Sequence, residues 1–291
     1  MKKEYFENIL KRLEIKFEEV EVVKNNNVVM KGYTLGEASL KPTIYMNMIE
    51  DFDDEVEVVK FLEGLNMKTK NVEEIFIKER FKNKVFMGVR NKEWNNEDTH
   101  TITFDIPGFE DLEGYYMLQL SKEDCIALGI IHTEEDGVCF NTVTDGVMTA
   151  MGLDENWLKT QAEKTMLKNL EIKGMTETMI EMMGKDVEMP FLDDDIEYYK
   201  EHETMFVLSV KSKTRGAGVI ASFLCRDKIK EFAEKRNMKK YAILPSSIHE
   251  VLLVKLDEMD KEILDTMVEE VNETQVDVRD RLSNHSYIFT L

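Results

Sequence analysis

Apolar residues recur along the chain with two different periods, and the change of period predicts where helices and strands lie. Residues 4–14 place apolar side chains every three or four positions, which is the spacing of an amphipathic helix. These side chains belong to Phe6, Ile9, Leu10 and Leu13. Residues 16–35 alternate with a period of two on both sides of three asparagines, Asn25 to Asn27, so a β-hairpin is expected there.

The last third of the chain has the clearest pattern. Residues 205–213 and 219–225 are predicted to be strands on either side of the turn "TRGAG", and residues 227–236 to be a helix. The strands "YAIL" and "HEVLLV" follow, and then a helix over residues 258–273 with one apolar stripe. That stripe consists of Met259, Ile263, Met267 and Val271. The resulting order is ββαββα, with "SYIFTL" as an edge strand. Hairpin-paired strands beside helices predict an α+β fold with largely antiparallel sheets.

A run of acidic residues is the best candidate for a connector between two domains. Residues 193–203 contain six acids and one lysine, and Pro190 precedes them. This composition predicts an acidic connector at 185–204, between an N-terminal α+β region at 1–184 and a C-terminal ββαββα region at 205–291. A solvated surface loop inside one continuous domain explains the same residues equally well.

Charge changes the picture more than any other feature of the composition. The chain has 58 acidic and 38 basic residues, which gives a formal charge of −20. A field of this sign repels nucleic acids and anionic membranes and attracts basic surfaces. We therefore expect a basic protein partner and neither direct nucleic-acid binding nor membrane binding. An acidic surface that only keeps the protein in solution is the alternative.

Cysteine usage and the absence of a long apolar run indicate the compartment. No stretch of 18 uncharged apolar residues exists, and the first 20 residues mix charges with apolar positions, so we expect a soluble cytoplasmic protein. Cys125, Cys139 and Cys225 are odd in number and widely spaced, which favours buried free thiols over disulfides or a zinc site. The histidines show no metal-binding spacing, so neither a metal ion nor another cofactor is expected.

The segment "ILPSSIHEVLLV", residues 243–254, concentrates the most chemistry in the shortest stretch. Nucleophilic catalysis needs a hydroxyl beside an imidazole that a carboxylate orients. Ser247 and His249 can share one face of a strand as a hydrolytic dyad, whereas Glu250 points to the opposite face. A polar turn in which Ser246 and Ser247 bond the backbone explains every residue and is the favoured interpretation. A contact patch for a partner is the third.

The stretch "KSKTRGAG" is a local basic cluster in an otherwise acidic protein. Lys213 and Arg215 lie beside Gly216, and the backbone N–H groups of such a glycine turn can hold a phosphate or carboxylate. The order of residues excludes a Walker motif. A hairpin with solvated charges is the favoured alternative. If the protein has a ligand pocket, we expect it here, with His249 and Glu250 close by.

Several stretches together resemble a known family. "PTIYMNMI", "NWLKTQAEKTMLKNL", "KSKTRGAG" and above all "LPSSIHEV" are similar to an uncharacterised domain-of-unknown-function family of anaerobic gut Firmicutes, whose members often occur near mobile elements. The similarity covers most of the chain in the same order and departs at residues 121–152. It implies a bacterial cytoplasmic origin and one contiguous architecture, and it supplies no catalytic residue.

Two classes of function follow from these observations. We favour a non-enzymatic acidic interaction protein that binds a basic protein partner and inhibits a nucleic-acid-processing system. The alternative is a small hydrolase or anion-ligand-binding enzyme that uses the region of Ser247, His249 and Arg215. The sequence carries no prediction of the oligomeric state.

Overall fold

A computed structural model describes residues 3–36, 43–50, 52, 54–68, 75–127, 139–183, 198–256 and 260–291. Within these ranges the chain folds into helices and three antiparallel sheets, so the predicted α+β class is confirmed. The helices are α1 (Lys3–Arg12), α2 (Met46–Glu50), α3 (Glu55–Lys68), α4 (Lys122–Ala127), α5 (Asp145–Met151), α6 (Glu155–Asn169), α7 (Met175–Met183), α8 (Phe223–Lys235) and α9 (Lys261–Thr274). The strands are β1 (Phe17–Lys24), β2 (Val28–Leu35), β3 (Thr43–Tyr45), β4 (Val85–Asn91), β5 (Thr103–Asp105), β6 (Leu112–Leu120), β7 (Cys139–Thr142), β8 (Leu170–Gly174), β9 (Met205–Val210), β10 (Lys240–Leu244), β11 (Val251–Lys255) and β12 (Tyr287–Thr290).

The N-terminal unit packs α1, α2 and α3 on the sheet β1-β2-β3. The predicted hairpin is confirmed, and it reverses in a 3-10 turn at Asn25–Asn27. Asn26 and Asn27 adopt positive φ angles of 59° and 55°, a conformation that asparagine tolerates better than most residues. The unit has a hydrophobic cluster of its own. That cluster comprises Phe6, Ile9, Leu10, Tyr33, Leu35, Ile44, Ile49, Val58 and Leu62.

The remaining two sheets share one large core. In the second sheet β6 pairs with β4 along one edge and with β5 and β7 along the other. The third sheet has the order β12-β10-β11-β9-β8. Side chains of α6 and α8 fill the same core, including Leu158, Ala162, Cys225 and Ile229. We call this part of the molecule, from Ile75 onward, the body.

The third sheet is covered on both faces because its side chains alternate between them. Along β10, Tyr241 and Ile243 point into the large core. Ala242 and Leu244, the residues between and after them, pack on the other side with α9. The edge strand predicted at the C-terminus is confirmed as β12, which pairs with β10.

The strands before and after the proposed connector pair with each other. Residues 185–197 lie outside the described residues. The strand before them, β8, pairs with the strand after them, β9, from Leu170↔Val210 to Gly174↔Phe206. The division into 1–184 and 205–291 stays a prediction. The pairing and the shared core favour its alternative, a continuous region.

One predicted strand is wrong, and with it the order ββαββα. Residues 216–220 form a 3-10 helix and α8 begins at Phe223, so the C-terminal order is βαββαβ. A Cβ on Gly216 would lie 2.0 Å from Ser209 Oγ, and one on Gly218 would lie 1.8 Å from the Met87 carbonyl oxygen. The loop therefore contacts β9 and β4 too closely at these two positions for any residue larger than glycine.

The expectation of three free thiols is wrong for one pair of cysteines. Cys125 and Cys139 form a disulfide with their Cα atoms 6.7 Å apart, whereas Cys225 is free and buried. Strand pairing brings the two together, because Cys139 pairs with Leu120 of β6 and α4 follows directly after β6. Burial raises the pKa of the remaining thiol, Cys225, to about 11.

Candidate functional site

The connection between β10 and β11 is anchored to the C-terminal 3-10 turn at Val278–Asp280. Ser247 forms an isolated bridge with Arg281, and the Ile248 N–H donates to the Asp280 carbonyl oxygen at 2.8 Å. The Ser247 hydroxyl oxygen accepts the backbone N–H of His249 at 3.1 Å. This hydroxyl therefore stabilises the connection, in the way that the turn interpretation predicts for its serines. Ser246 is half-buried in the same connection.

The imidazole of His249 lies between a backbone N–H and a carboxylate. Its Nδ1 lies 3.5 Å from the Arg215 backbone nitrogen, and its Nε2 lies 3.7 Å from Asp280 Oδ2. Asp280, which was not among the residues predicted for the site, lies beside the ring at a distance longer than a hydrogen bond. Burial raises the pKa of Glu250, His249 opposes this effect, and Asp280 adds to it.

The basic loop and this connection do meet. The Gly216 N–H and the Ser209 hydroxyl both donate to the His249 carbonyl oxygen, at 2.8 Å and 3.0 Å. Arg215 has a left-handed backbone, with φ of 51°, and its Nη1 donates to the Tyr115 hydroxyl at 3.1 Å. The structure therefore brings Arg215, Gly216 and His249 together.

Two details bear on anion binding by this loop. The N–H groups of Gly216 and Ala217 donate to backbone carbonyl oxygens of His249 and Ile248, so neither is directed at a ligand. Lys213 Nζ lies 3.4 Å from Glu181 Oε2 on α7, in an exposed ion pair. The Arg215 guanidinium and the His249 ring lie beside the same loop, and both already have partners within the protein.

A second polar cluster, around Asp111, was missed by sequence reasoning. Ser283 Oγ donates to Asp111 Oδ2 at 2.9 Å, and His285 Nε2 lies 3.4 Å from Asp111 Oδ1. The Tyr287 hydroxyl also donates to this carboxylate, and burial with that bond raises the pKa of Tyr287. Asn91 Nδ2 donates to it at 3.2 Å. Serine and histidine both contact the carboxylate, so the cluster lacks the serine-to-imidazole bond of a nucleophilic triad.

The asparagine hairpin of the N-terminal unit reaches the edge of the candidate site. Asn26 Nδ2 donates to the carbonyl oxygens of Val278 and Arg281 at 2.6 Å and 2.8 Å. The Asn26 N–H donates to Asn95 Oδ1 at 2.8 Å. These carbonyl groups flank Asp280, the carboxylate beside His249. The candidate site therefore borders the contact between the N-terminal unit and the body.

The described residues contain neither a metal-binding cluster nor a membrane-spanning helix. Among the residues with described positions, no three His, Cys, Asp or Glu side chains are grouped to hold a metal ion. No helix in that part of the chain has both the length and the apolar character needed to span a bilayer.

Comparison with known proteins places the whole chain in one family. A family model described as a family of unknown function, DUF5688, matches residues 2–290. The chain belongs to this family. No curated protein and no solved structure matches the chain. The DUF5688 match includes the N-terminal unit as well as the body, so both are parts of the region that defines the family.

Proposed function

We propose that this DUF5688 protein is a non-enzymatic interaction protein that binds a basic protein partner. The observation that carries the proposal is the formal charge of −20 over 291 residues. Charge of one sign accelerates encounter with a partner of the opposite sign and disfavours nucleic acids and anionic lipids. The His249 backbone N–H donates to the Ser247 hydroxyl oxygen, which supports a structural role for this serine. The hydrolase alternative would need the same serine as its nucleophile.

The partner that fits this charge best is a protein of a nucleic-acid-processing system. Such proteins expose Lys and Arg to bind phosphates, and an acidic protein can occupy that surface instead. The resemblance to a family of gut Firmicutes whose members often occur near mobile elements supports the same role. We infer that binding inhibits the partner.

Affinity capture followed by reconstitution tests the proposal. The tagged protein is incubated with bacterial lysate at low and at high salt, beside an unrelated protein of the same net charge. We expect a basic protein that the control does not retain, that is released by salt and that forms a defined complex when both proteins are purified. Adding the protein to the partner's nucleic-acid complex should release the nucleic acid. Retention of the same proteins by the control would refute specific binding.

The second candidate is an anion-ligand-binding enzyme or small hydrolase at Arg215, His249 and Ser247. The observation in its favour is the carboxylate of Asp280, 3.7 Å from His249 Nε2. Titration with phosphate and with short carboxylates, and a panel of ester substrates, test it directly. Saturable binding or turnover that Arg215→Gln and His249→Gln both abolish, with unchanged folding, would favour this candidate over the first.

A further inference from the structure

The last helix, α9, has two apolar rows, and only one of them is buried. Leu264 and Val268 are 0% and 2% exposed and pack against the third sheet. Ile263, Met267 and Val271 are 55%, 37% and 41% exposed. Because these three are four residues apart, they lie above one another on one side of the helix. We call them the α9 stripe.

Polar contacts fix the rotation of α9, so the α9 stripe cannot turn toward the sheet. The Ser286 N–H donates to Asp265 Oδ1 at 2.7 Å, and Asn272 Nδ2 donates to the Ser283 carbonyl oxygen at 2.8 Å. Asp265 and Asn272 lie on the flank of the buried row that is opposite the stripe. Rolling the stripe inward would break these bonds and expose Leu264.

The rest of the solvent-facing side of α9 is acidic. It carries four exposed glutamates, Glu262, Glu269, Glu270 and Glu273. Within the described parts of the chain, none of these four carboxylates has a basic ion-pair partner. An exposed apolar row beside charged residues is a surface that an amphipathic helix of a partner can cover.

We propose that the α9 stripe and its glutamates bind an amphipathic basic helix of the partner protein. This inference rests on the proposed function and adds the place and the form of the contact. The apolar side of the partner helix would cover Ile263, Met267 and Val271. Its Lys and Arg residues would meet Glu270 and Glu273, the glutamates that lie nearest to the stripe around the helix. The same charges disfavour a second copy of this chain on the stripe, since Glu270 and Glu273 of both copies would then border one contact.

A designed peptide pair tests the form of the partner. The probe is an 18-residue peptide of leucine and lysine with leucine at helical spacing, and its control is a scrambled peptide of the same composition. We expect the helical peptide to bind at least about tenfold more tightly than the scrambled one. Equal binding of both peptides would show that charge alone attracts them to the acidic surface, and it would refute the apolar stripe as the contact.

Matched variants test whether the peptide binds at the α9 stripe. The triple variant Ile263→Gln, Met267→Gln, Val271→Gln keeps the helix and should lose about tenfold in affinity for the helical peptide. Its control is Val23→Thr, Val29→Thr, which changes an exposed apolar pair on the N-terminal sheet and should leave the affinity unchanged. Unchanged melting curves for both variants establish that they are folded.

A second pair of variants separates local charge from total charge. One variant replaces the four glutamates of α9 with glutamine. The other replaces four exposed glutamates elsewhere, namely Glu79, Glu97, Glu155 and Glu234. Both raise the net charge equally, and we expect only the first to reduce the affinity and its salt dependence. Equal losses would refute a site on α9 while the proposed function stands. If neither peptide binds the wild-type protein at low salt, the proposed basic partner is refuted as well.

Discussion

The first helix and the last helix of the chain both carry apolar stripes, and the structure uses them differently. In α1 the stripe of Phe6, Ile9 and Leu10 is buried in the N-terminal unit. In α9 the residues Ile263, Met267 and Val271 of the predicted stripe are exposed, and the neighbouring row with Leu264 is buried. Met259, the first residue of that stripe, lies outside the described residues. Apolar periodicity therefore predicts both helices. Which row faces the sheet in α9 is decided by polar anchors such as Asn272.

The largest expected effect comes from removing the buried stripe of α1. Phe6→Ala should destabilise the N-terminal unit by about 3–5 kcal/mol, because a fully buried phenylalanine leaves a cavity. Chemical denaturation and hydrogen exchange of β1 and β2 would measure the loss. Glu4→Ala, on the exposed side of the same helix, is the control and should change stability by less than about 0.5 kcal/mol.

A pair of substitutions within α9 tests the two rows directly. Leu264→Ala should cost about 2–5 kcal/mol, whereas Met267→Ala should change stability by less than about 0.5 kcal/mol, because the first side chain is buried and the second faces solvent. Thermal or urea unfolding of both variants is sufficient. Equal losses would show that the α9 stripe is packed in the free protein, which would contradict the proposed docking surface.

A smaller effect is expected where the unit containing α1 meets the body. Asn26→Ala removes donations to the Val278 and Arg281 carbonyl oxygens and places alanine at a positive φ, so we expect a loss of about 1–3 kcal/mol. Hydrogen exchange should increase in β1 and β2 more than in β10 and β11. Lys31→Ala, which removes an exposed ion pair on β2, serves as the control. A uniform increase across both sheets would contradict a local joint.

The smallest effect is a pH-dependent one, confined to the body that carries α9. Because burial raises the pKa of Glu250, its ionised form destabilises the folded protein at neutral pH. This destabilisation is fully present above the raised pKa and disappears as the pH falls to the unfolded value of about 4.3. Glu250→Gln should therefore raise Tm at pH 7 and have little effect near pH 4.

The matched substitution for this measurement is Glu97→Gln, because Glu97 is exposed. It should leave Tm unchanged at both pH values. A lower Tm for Glu250→Gln at pH 7 would show that the ionised carboxylate of Glu250 stabilises the fold instead.

Local patterns were sufficient for the elements that are themselves local. The stripe of α1, the alternation around Asn26 and the capping aspartate of α6 all act within a few residues. Asp154 accepts the Trp157 N–H at 2.8 Å, which is the bond of an aspartate directly before a helix. The class of the fold followed from these elements, because hairpins beside helices permit few other arrangements.

The features that sequence reasoning missed depend on contacts between distant residues. Gly216 and Gly218 lie in a 3-10 helix that contacts Ser209 of β9 and Met87 of β4, and no local pattern predicts these contacts. Asp111 and Ser283 are 172 residues apart in the sequence, so no local motif predicts the polar cluster that they form. At the candidate site, the sequence predicted that Arg215 and His249 lie near each other. It did not predict Asp280, which lies in the 3-10 turn at Val278–Asp280.

Because Cys125 and Cys139 form a disulfide, the number of free thiols in the protein depends on whether its compartment is reducing or oxidising. Protein from a reducing compartment should bind three alkylating groups once denatured, and protein from an oxidising one should bind a single group, at Cys225. Alkylation with a mass-tagged reagent at the moment of lysis would therefore show, from the mass of the protein, whether its compartment is reducing or oxidising.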